Sequence, residues 1–460
     1  MDLTTTRHRG ECKLPGGKLV AVSIGGGIGE DDTIDAGGAR IDGDFFVEGD
    51  AHEAHALIAD LEAAIDAAAG GTTCSGAGGD AARWTMALAM RLRTAMDAHD
   101  GATLVGADER TIATATARAL GIGAGKGRAF DGTEAGQRDA HGANRSANRG
   151  ADHGTPAAAD GSSAPVASAL PDVRDIAGLM VVRDVPREPA MQLALDQACA
   201  EAVAAGAMPP LLRFWQWDRA AVVIGRFQSL GSEVHVDQAA AEDVTVVRRI
   251  TGGGAMFAEP DAVITYSLVA PLGFVEGMDV EDSYRACDGW VLDALRSMGI
   301  DARYQPINDI ASDRGKIGGA AQRRFPAPHG SGGPGAVLHH TMMSYDMDAA
   351  KMMRILNVSR EKMSDKAVRS AARRVDPLRS QTGMARADVI ARMIATLVGT
   401  APAGIMSAGA TDDHVAPAGT AHGHATLRPA ADAIPDAVLR RARELADRRY
   451  ATPGWTAIIP

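Results

Sequence analysis

The chain has 460 residues and a formal net charge of −11, from 47 Lys and Arg against 58 Asp and Glu. That balance argues against a chain built mainly to coat nucleic acid, which needs basic patches to release counterions. A 46% hydrophobic content can fill real cores, whereas 4% aromatics and 53 glycines point to loop or linker in part of the chain. Length alone suggests about three units of roughly 150 residues.

The first 18 residues carry no apolar stretch of signal-peptide type, and no run of about 20 apolar residues predicts a membrane span, so a cytoplasmic location is expected. Residues 19–24 and 39–47 read as strands joined by a Gly/Asp-rich loop. Helices are predicted over 51–69, 83–96 and 108–120. In the first, Leu57, Ile58, Leu61 and Ile65 recur at helical spacing. Between Asp131 and Leu170 only Val166 and Leu170 are large apolar residues. Such a stretch cannot bury enough area to offset its ordering entropy, so residues 129–176 read as a disordered linker.

A second module starts near residue 177. Residues 180–183 read as a strand, Pro186 and Pro189 as a turn and a helix start, and Met191, Leu195, Ala198 and Ala202 as one face of that helix. Strands are predicted over 212–217, 221–225, 244–248 and 262–270, and helices over 283–298 and 435–448. A polar, Ala/Gly/His-rich insertion lies near 400–428. The four cysteines, Cys12, Cys74, Cys199 and Cys287, are far apart, which excludes a CxxC metal or redox pair and fits reduced thiols.

Three segments could carry chemistry. Arg248-Arg249-Ile250-Thr251-Gly252-Gly253-Gly254-Ala255-Met256-Phe257 lies between two predicted strands. Consecutive glycines let backbone N–H groups face an anion, and two arginines add charge suited to phosphate or carboxylate. A plain glycine hairpin with exposed arginines has the same pattern. Asn308-Asp309 precedes Gly315-Lys316-Ile317-Gly318-Gly319-Ala320-Ala321-Gln322, in which the lysine either enters a pocket or is solvated. Leu338-His339-His340 starts a strand-like run. Adjacent strand residues face opposite ways, so the two histidines are not expected to share a metal ion. The glycine runs 25–29 and 121–127 fail the spacing of dinucleotide and phosphate loops.

Taken in this order, the three segments resemble the lipoate–protein ligases, with their RRxTGGGA, ND, GK-x-x-G-x-A-Q and L-x-H motifs. The likeness covers residues 178–460. Residues 13–20 and 41–46, KLPGGKLV and IDGDFF, resemble the small accessory domain of the same family, here placed first. The resemblance implies an α/β (α+β) biotin/lipoate-ligase-like catalytic domain with a central mixed sheet, over 177–460, and an accessory α+β domain over 1–128. It implies activation of lipoate by ATP and Mg²⁺ to lipoyl-AMP, then transfer to a lysine of a lipoyl domain of 2-oxoacid dehydrogenases or of the glycine-cleavage carrier protein.

Lys316 is the implied catalytic cation. Arg248, Arg249, Thr251, Gly252, Gly253, Gly254, Ala255, Met256, Phe257, Asn308 and Asp309 are implied to hold the nucleotide, with Asp309 also a Mg²⁺ ligand. Phe214, Trp215, Gly225, Lys316 and His340 are implied to hold lipoate. Arg323-Arg324, or the arginines of 369–379, are candidates to meet acidic acceptor domains, or form a solvated face. Two departures stand out: Ala258-Glu259 replaces His-Asp after the glycine run, and the connection after Ala321 is long. An ATP-independent octanoyl or lipoyl transferase, a biotin–protein ligase and a non-catalytic lipoate binder are the alternatives.

Overall fold

A computed structural model describes residues 7–13, 17–28, 34–49, 51–70, 78–122, 170–357, 377–399, 426–429 and 433–460. Most of the predicted linker and of the insertion near 400–428, and residues 369–376 of the arginine stretch, lie outside the described residues.

The first part is built on strands β1 (Arg7–Cys12), β2 (Val20–Ile28) and β3 (Ile34–Gly43), paired antiparallel in that order. β4 (Phe46–Gly49) pairs with β5 (Ala102–Val105). Helices α1 (Ala51–Ala69), α2 (Gly78–Asp97) and α3 (Glu109–Ala119) complete it. Val20, Val22, Ile24, Ile41, Leu57, Leu61, Ile65, Leu92 and Ile112 form its apolar core. The sequence reading differs in two ways. Strands β1 and β5 are short on large apolar side chains and gave no signal, and the expected strand 39–47 breaks at Gly43, where φ is +152°. That break turns Asp44, Phe45 and Phe46 toward the second part.

The second part centres on an eight-stranded sheet among the described residues. It contains β6 (Met180–Arg187), β7 (Leu211–Trp217), β11 (Val263–Pro271), β12 (Arg303–Gln305), β13 (Asp309–Ser312), β14 (Gly315–Phe325), β15 (Ala336–Ser344) and β16 (Thr426–Pro429). The order is β12-β13-β14-β15-β11-β7-β6-β16. β6 runs parallel to β7 and β16 and the other pairs are antiparallel, so the sheet is mixed, as expected. Pro186 lies in β6, not in a turn; it sits at a register shift against β7, where a missing N–H is tolerated.

One face packs on helix α4 (Pro189–Ala204) and the helix Asp436–Leu445, the other on α5 (Val280–Ser297) and α6 (Arg386–Val398). β15 is buried on both faces although His339, His340 and Thr341 sit at its centre, and its period of two sorts Leu338 to one core and Val337 and Met343 to the other. A second sheet of β8 (Ala221–Ile224), β9 (Thr245–Arg248) and β10 (Met256–Ala258) flanks it and carries the glycine run.

Candidate functional site

The glycine run leaves β9 and returns in β10 as a tight loop. Its geometry is held from within by Arg249, which is 2% exposed. The guanidinium donates to the carbonyls of Val223 at 3.1 Å, Gly252 at 3.2 Å and Gly254 at 3.0 Å, and to Thr251 Oγ1 at 3.1 Å. Burial lowers its pKa to about 10, so it stays cationic at neutral pH. Arg248, 0% exposed, donates to the carbonyls of Gly225 (2.9 Å), Arg226 (3.3 Å) and Gln228 on one side. On the other it reaches Thr456 (2.7 Å) and Ile459 (3.1 Å). Both arginines were expected to face phosphate. Both instead hold backbone carbonyls: Arg249 those of the glycine turn, which has no side chains of its own to satisfy them, and Arg248 those of residues 225–228 and of the C-terminal segment.

Thr251 connects the loop to the main sheet. Its hydroxyl lies 2.8 Å from His340 Nε2, and His340 Nδ1 lies 3.0 Å from Asp196 Oδ2 on α4. Asp196 also accepts from Ser267 Oγ and from Arg213 Nη2, each at 2.7 Å. The carboxylate needs donors, so the imidazole carries its proton on Nδ1 and accepts the threonine hydroxyl at Nε2. Burial lowers the His340 pKa, against the hydrogen bond to Asp196, which is consistent with the neutral ring. His339 faces the opposite core, with Nε2 2.9 Å from Asp288 Oδ1, so the two histidines do not converge.

The expected lipoate residues divide in the same way. Trp215 shares the His340 face: the rings meet edge-on at 6.1 Å and its Nε1 donates to Ser267 Oγ at 2.6 Å. Phe214 points the other way, into the core with Tyr266 and Trp290, and does not line that face. Adjacent strand residues cannot share a face. Gly225 packs under the glycine loop, where a Cβ would meet the Gly253 carbonyl oxygen at 2.0 Å.

The first part of the chain closes over this loop. Phe45 O accepts from Gly253 N at 3.3 Å, and Phe45 stacks on Phe227 with ring centroids 5.1 Å apart. A Cβ on Gly252 would lie 2.6 Å from Phe45 O and 2.9 Å from Phe46 Cα, so only glycine permits this approach. Asp44 Oδ1 accepts from Gln228 Nε2 at 2.7 Å.

On the far side of Phe46 are Asn308, Asp309 and Lys316. Lys316 Nζ sits 2.8 Å from Asp309 Oδ1, with 44% of its side chain exposed. The β13–β14 register shifts between Ile310 and Ala311, a bulge that re-aims Lys316. Asn308 Nδ2 donates to Ala320 O at 2.6 Å and Asn308 Oδ1 accepts from Lys18 Nζ at 2.6 Å. Lys18 in turn lies 5.6 Å from the Phe46 ring. Phe46, Lys18 and Asn308 thus link the glycine loop to the strand pair that carries Asp309 and Lys316. The sequence reading gave no role to Lys18 or Asp196, although a lone carboxylate in the apolar run MQLALDQACA was a usable signal.

The remaining residues singled out from sequence have partners within the fold. Met256 and Phe257 form β10 beside Ala255, and Phe257 is buried in a small core with Val222 and Ile224. Glu259, the departure after the glycine run, pairs with Lys351 at 2.9 Å. Arg324 packs inward, its Nε 3.8 Å from Glu48, and Arg323 donates to Ile250 O at 3.3 Å. Arg379 pairs with Asp346. Among the described residues no group of three metal-ligating side chains converges, and no helix is long and apolar enough to cross a membrane.

The second part is a mixed α/β fold, an eight-stranded sheet flanked by helices with the glycine loop on a smaller sheet beside it. Residues 188–398 match the lipoyl protein ligase A/B catalytic domain. Lipoate-protein ligase A subunit 1 of Thermoplasma acidophilum is 30% identical over 200 residues, which are 43% of this chain and 74% of that protein. The octanoyltransferase LipM of Lysinibacillus sphaericus is 27% identical over 203 residues, 39% of this chain and 70% of that one. The structure of a bi-partite lipoate protein ligase and its E2 lipoyl domain from T. acidophilum aligns at TM-score 0.49 and 26% identity, over 62% of this chain and 98% of that one. The chain belongs to the lipoyl protein ligase A/B family, within the superfamily of lipoate–protein ligases and octanoyltransferases.

Proposed function

We propose that the chain is an ATP-dependent lipoate–protein ligase, with residues 1–128 as its accessory domain and 177–460 as its catalytic domain. The observation that carries this reading is a chain of contacts from the glycine loop through Phe46 and Lys18 to Asn308, whose neighbour Asp309 holds Lys316. A lipoate carboxylate oxygen attacks the α-phosphorus of ATP, the bond to the β-phosphate oxygen breaks, and its electron pair leaves with pyrophosphate. Lys316 meets the carboxylate and the α-phosphate as charge builds there. The ε-amine of an acceptor lysine then attacks the acyl carbon of lipoyl-AMP, loses a proton and expels AMP. The protein's work is positioning and charge stabilisation. If Mg²⁺ enters with the nucleotide, Asp309 would be the carboxylate to hold it, and the ion would neutralise charge on the phosphates. Trp215 and His340 mark the side on which the acyl chain lies, and the acceptor is a lipoyl domain.

The octanoyltransferase relatives favour a second reading, transfer through a cysteine thioester without ATP. Cys199 and Cys287 are the cysteines of this part of the chain, and both are buried. Burial pushes the Cys199 thiol up to about 12 and the Cys287 thiol well above its ordinary value, which opposes a thiolate nucleophile. The test is incubation with lipoate, ATP and an apo-lipoyl domain, followed by mass spectrometry. Lys316→Ala should lose about 10²–10³ in adenylation rate with unchanged unfolding. Modification without ATP, or normal pyrophosphate release by the variant, rejects the reading.

A further inference from the structure

Lys18 leaves the first part of the chain and ends among the residues that surround Lys316. Its Nζ is 2.6 Å from Asn308 Oδ1, and the next residue, Asp309, holds Lys316 Nζ at 2.8 Å. Two ammonium groups from different parts of the chain are therefore brought to adjacent residues. The Lys18 hydrogen bond goes to a neutral amide oxygen, not to a carboxylate. Its stem runs in a prepared track. Lys18 N donates to Gly106 O at 2.6 Å, and a Cβ on Gly106 would lie 2.5 Å from Lys18 Cγ and 3.4 Å from Ile307 Cδ1. Gly106 has φ of +83°, so the turn that makes this room also requires glycine. Phe46 covers the other side. Burial lowers the Lys18 pKa, as does the charge of Lys316, while Asp309 and Asp44 act against them. A cation held this way is stabilised by an anion that bridges it to its neighbour.

We propose that Lys18 is a second cation of the nucleotide site, supplied by the N-terminal part of the chain to meet the β- and γ-phosphates of a nucleoside triphosphate while Lys316 meets the α-phosphate. The nucleotide site is then incomplete without the first 128 residues. The inference rests on the ligase reading for its step: as the bond from the α-phosphorus to the β-phosphate oxygen breaks, the leaving pyrophosphate gains the electron pair, and Lys18 is the group beside that charge.

Calorimetric titration of the full chain with ATP and separately with AMP tests it, using wild type, Lys18→Met and Lys18→Arg. Lys18→Met should weaken ATP at least tenfold and leave AMP within twofold, and Lys18→Arg should recover most of the ATP affinity. Loss of both ligands together, or of neither, would overturn the proposal, because a lysine that only joins the two parts cannot distinguish ATP from AMP. Pyrophosphate release by wild type is read separately. A wild type that binds ATP through Lys18 but releases no pyrophosphate refutes the ligase and keeps the site, whereas one that does not bind ATP refutes both.

Discussion

Arg248→Lys separates a structural clamp from a phosphate ligand. The guanidinium spans two segments of chain: residues 225–228, with three carbonyls, and residues 456–459, with two. The C-terminal segment is fixed beside it through Trp455 Nε1, which donates to Arg248 O at 2.8 Å, and through Leu230 N, which donates to Ile459 O at 2.9 Å. A lysine ammonium is a single point with three donors and cannot reach both segments. Loss of one side removes about two charge-assisted hydrogen bonds. At ~1.5–3 kcal/mol each, the cost is about 3–6 kcal/mol. Denaturant unfolding measures that loss, limited proteolysis reads release of the C-terminal residues, and ATP titration reads the nucleotide. The expected outcome is a destabilised chain, cut early near its C-terminus, with ATP affinity within threefold of wild type under folding conditions. Unchanged unfolding with ATP weakened tenfold would restore the phosphate role inferred from sequence and refute the clamp.

Glu48 is buried with both carboxylate oxygens lacking hydrogen-bond partners among the described residues, and burial raises its pKa to about 7, opposed by Arg324 and then His339. The folded state keeps this proton to about pH 7 and the unfolded state loses it near 4.5, so stability falls as pH rises between them and the penalty is complete above the folded value. Glu48→Gln should therefore match wild type near pH 4.5 and exceed it by on the order of 3 kcal/mol at pH 8.5; equal denaturation midpoints at both pH values contradict this. Gly252→Ala should push Phe45 and Phe46 off the loop and lower adenylation about 10²-fold, and a fully active variant would show that this apposition is not needed. The double variant Cys199→Ala, Cys287→Ala should retain ATP-dependent ligation within about threefold despite ~1–2 kcal/mol of lost packing; abolished activity in a folded protein would favour the thioester route.

The family, the helices of the first part, three helices of the second and most strands of the main sheet were legible from sequence, through apolar period and a glycine, arginine and lysine pattern, whereas the helix Arg386–Val398 gave no signal that was used. Helix α1 was legible to the residue, since Leu57, Leu61 and Ile65 are all core. Tertiary structure alone decided what the arginines do. Arg248 and Arg249 read as anion ligands in a linear motif, but the folded chain leaves buried carbonyls that need donors: those of the glycine loop take Arg249, and those of residues 225–228 and 456–459 take Arg248. It also decided which of Phe214 and Trp215 shares a face with His340, because motif likeness does not fix strand orientation. The Asp196–His340–Thr251 chain and the Lys18–Asn308 contact join residues 144, 89 and 290 positions apart. No local period or spacing encodes such pairs; they exist only once the sheets are packed and the first part of the chain has closed over the glycine loop.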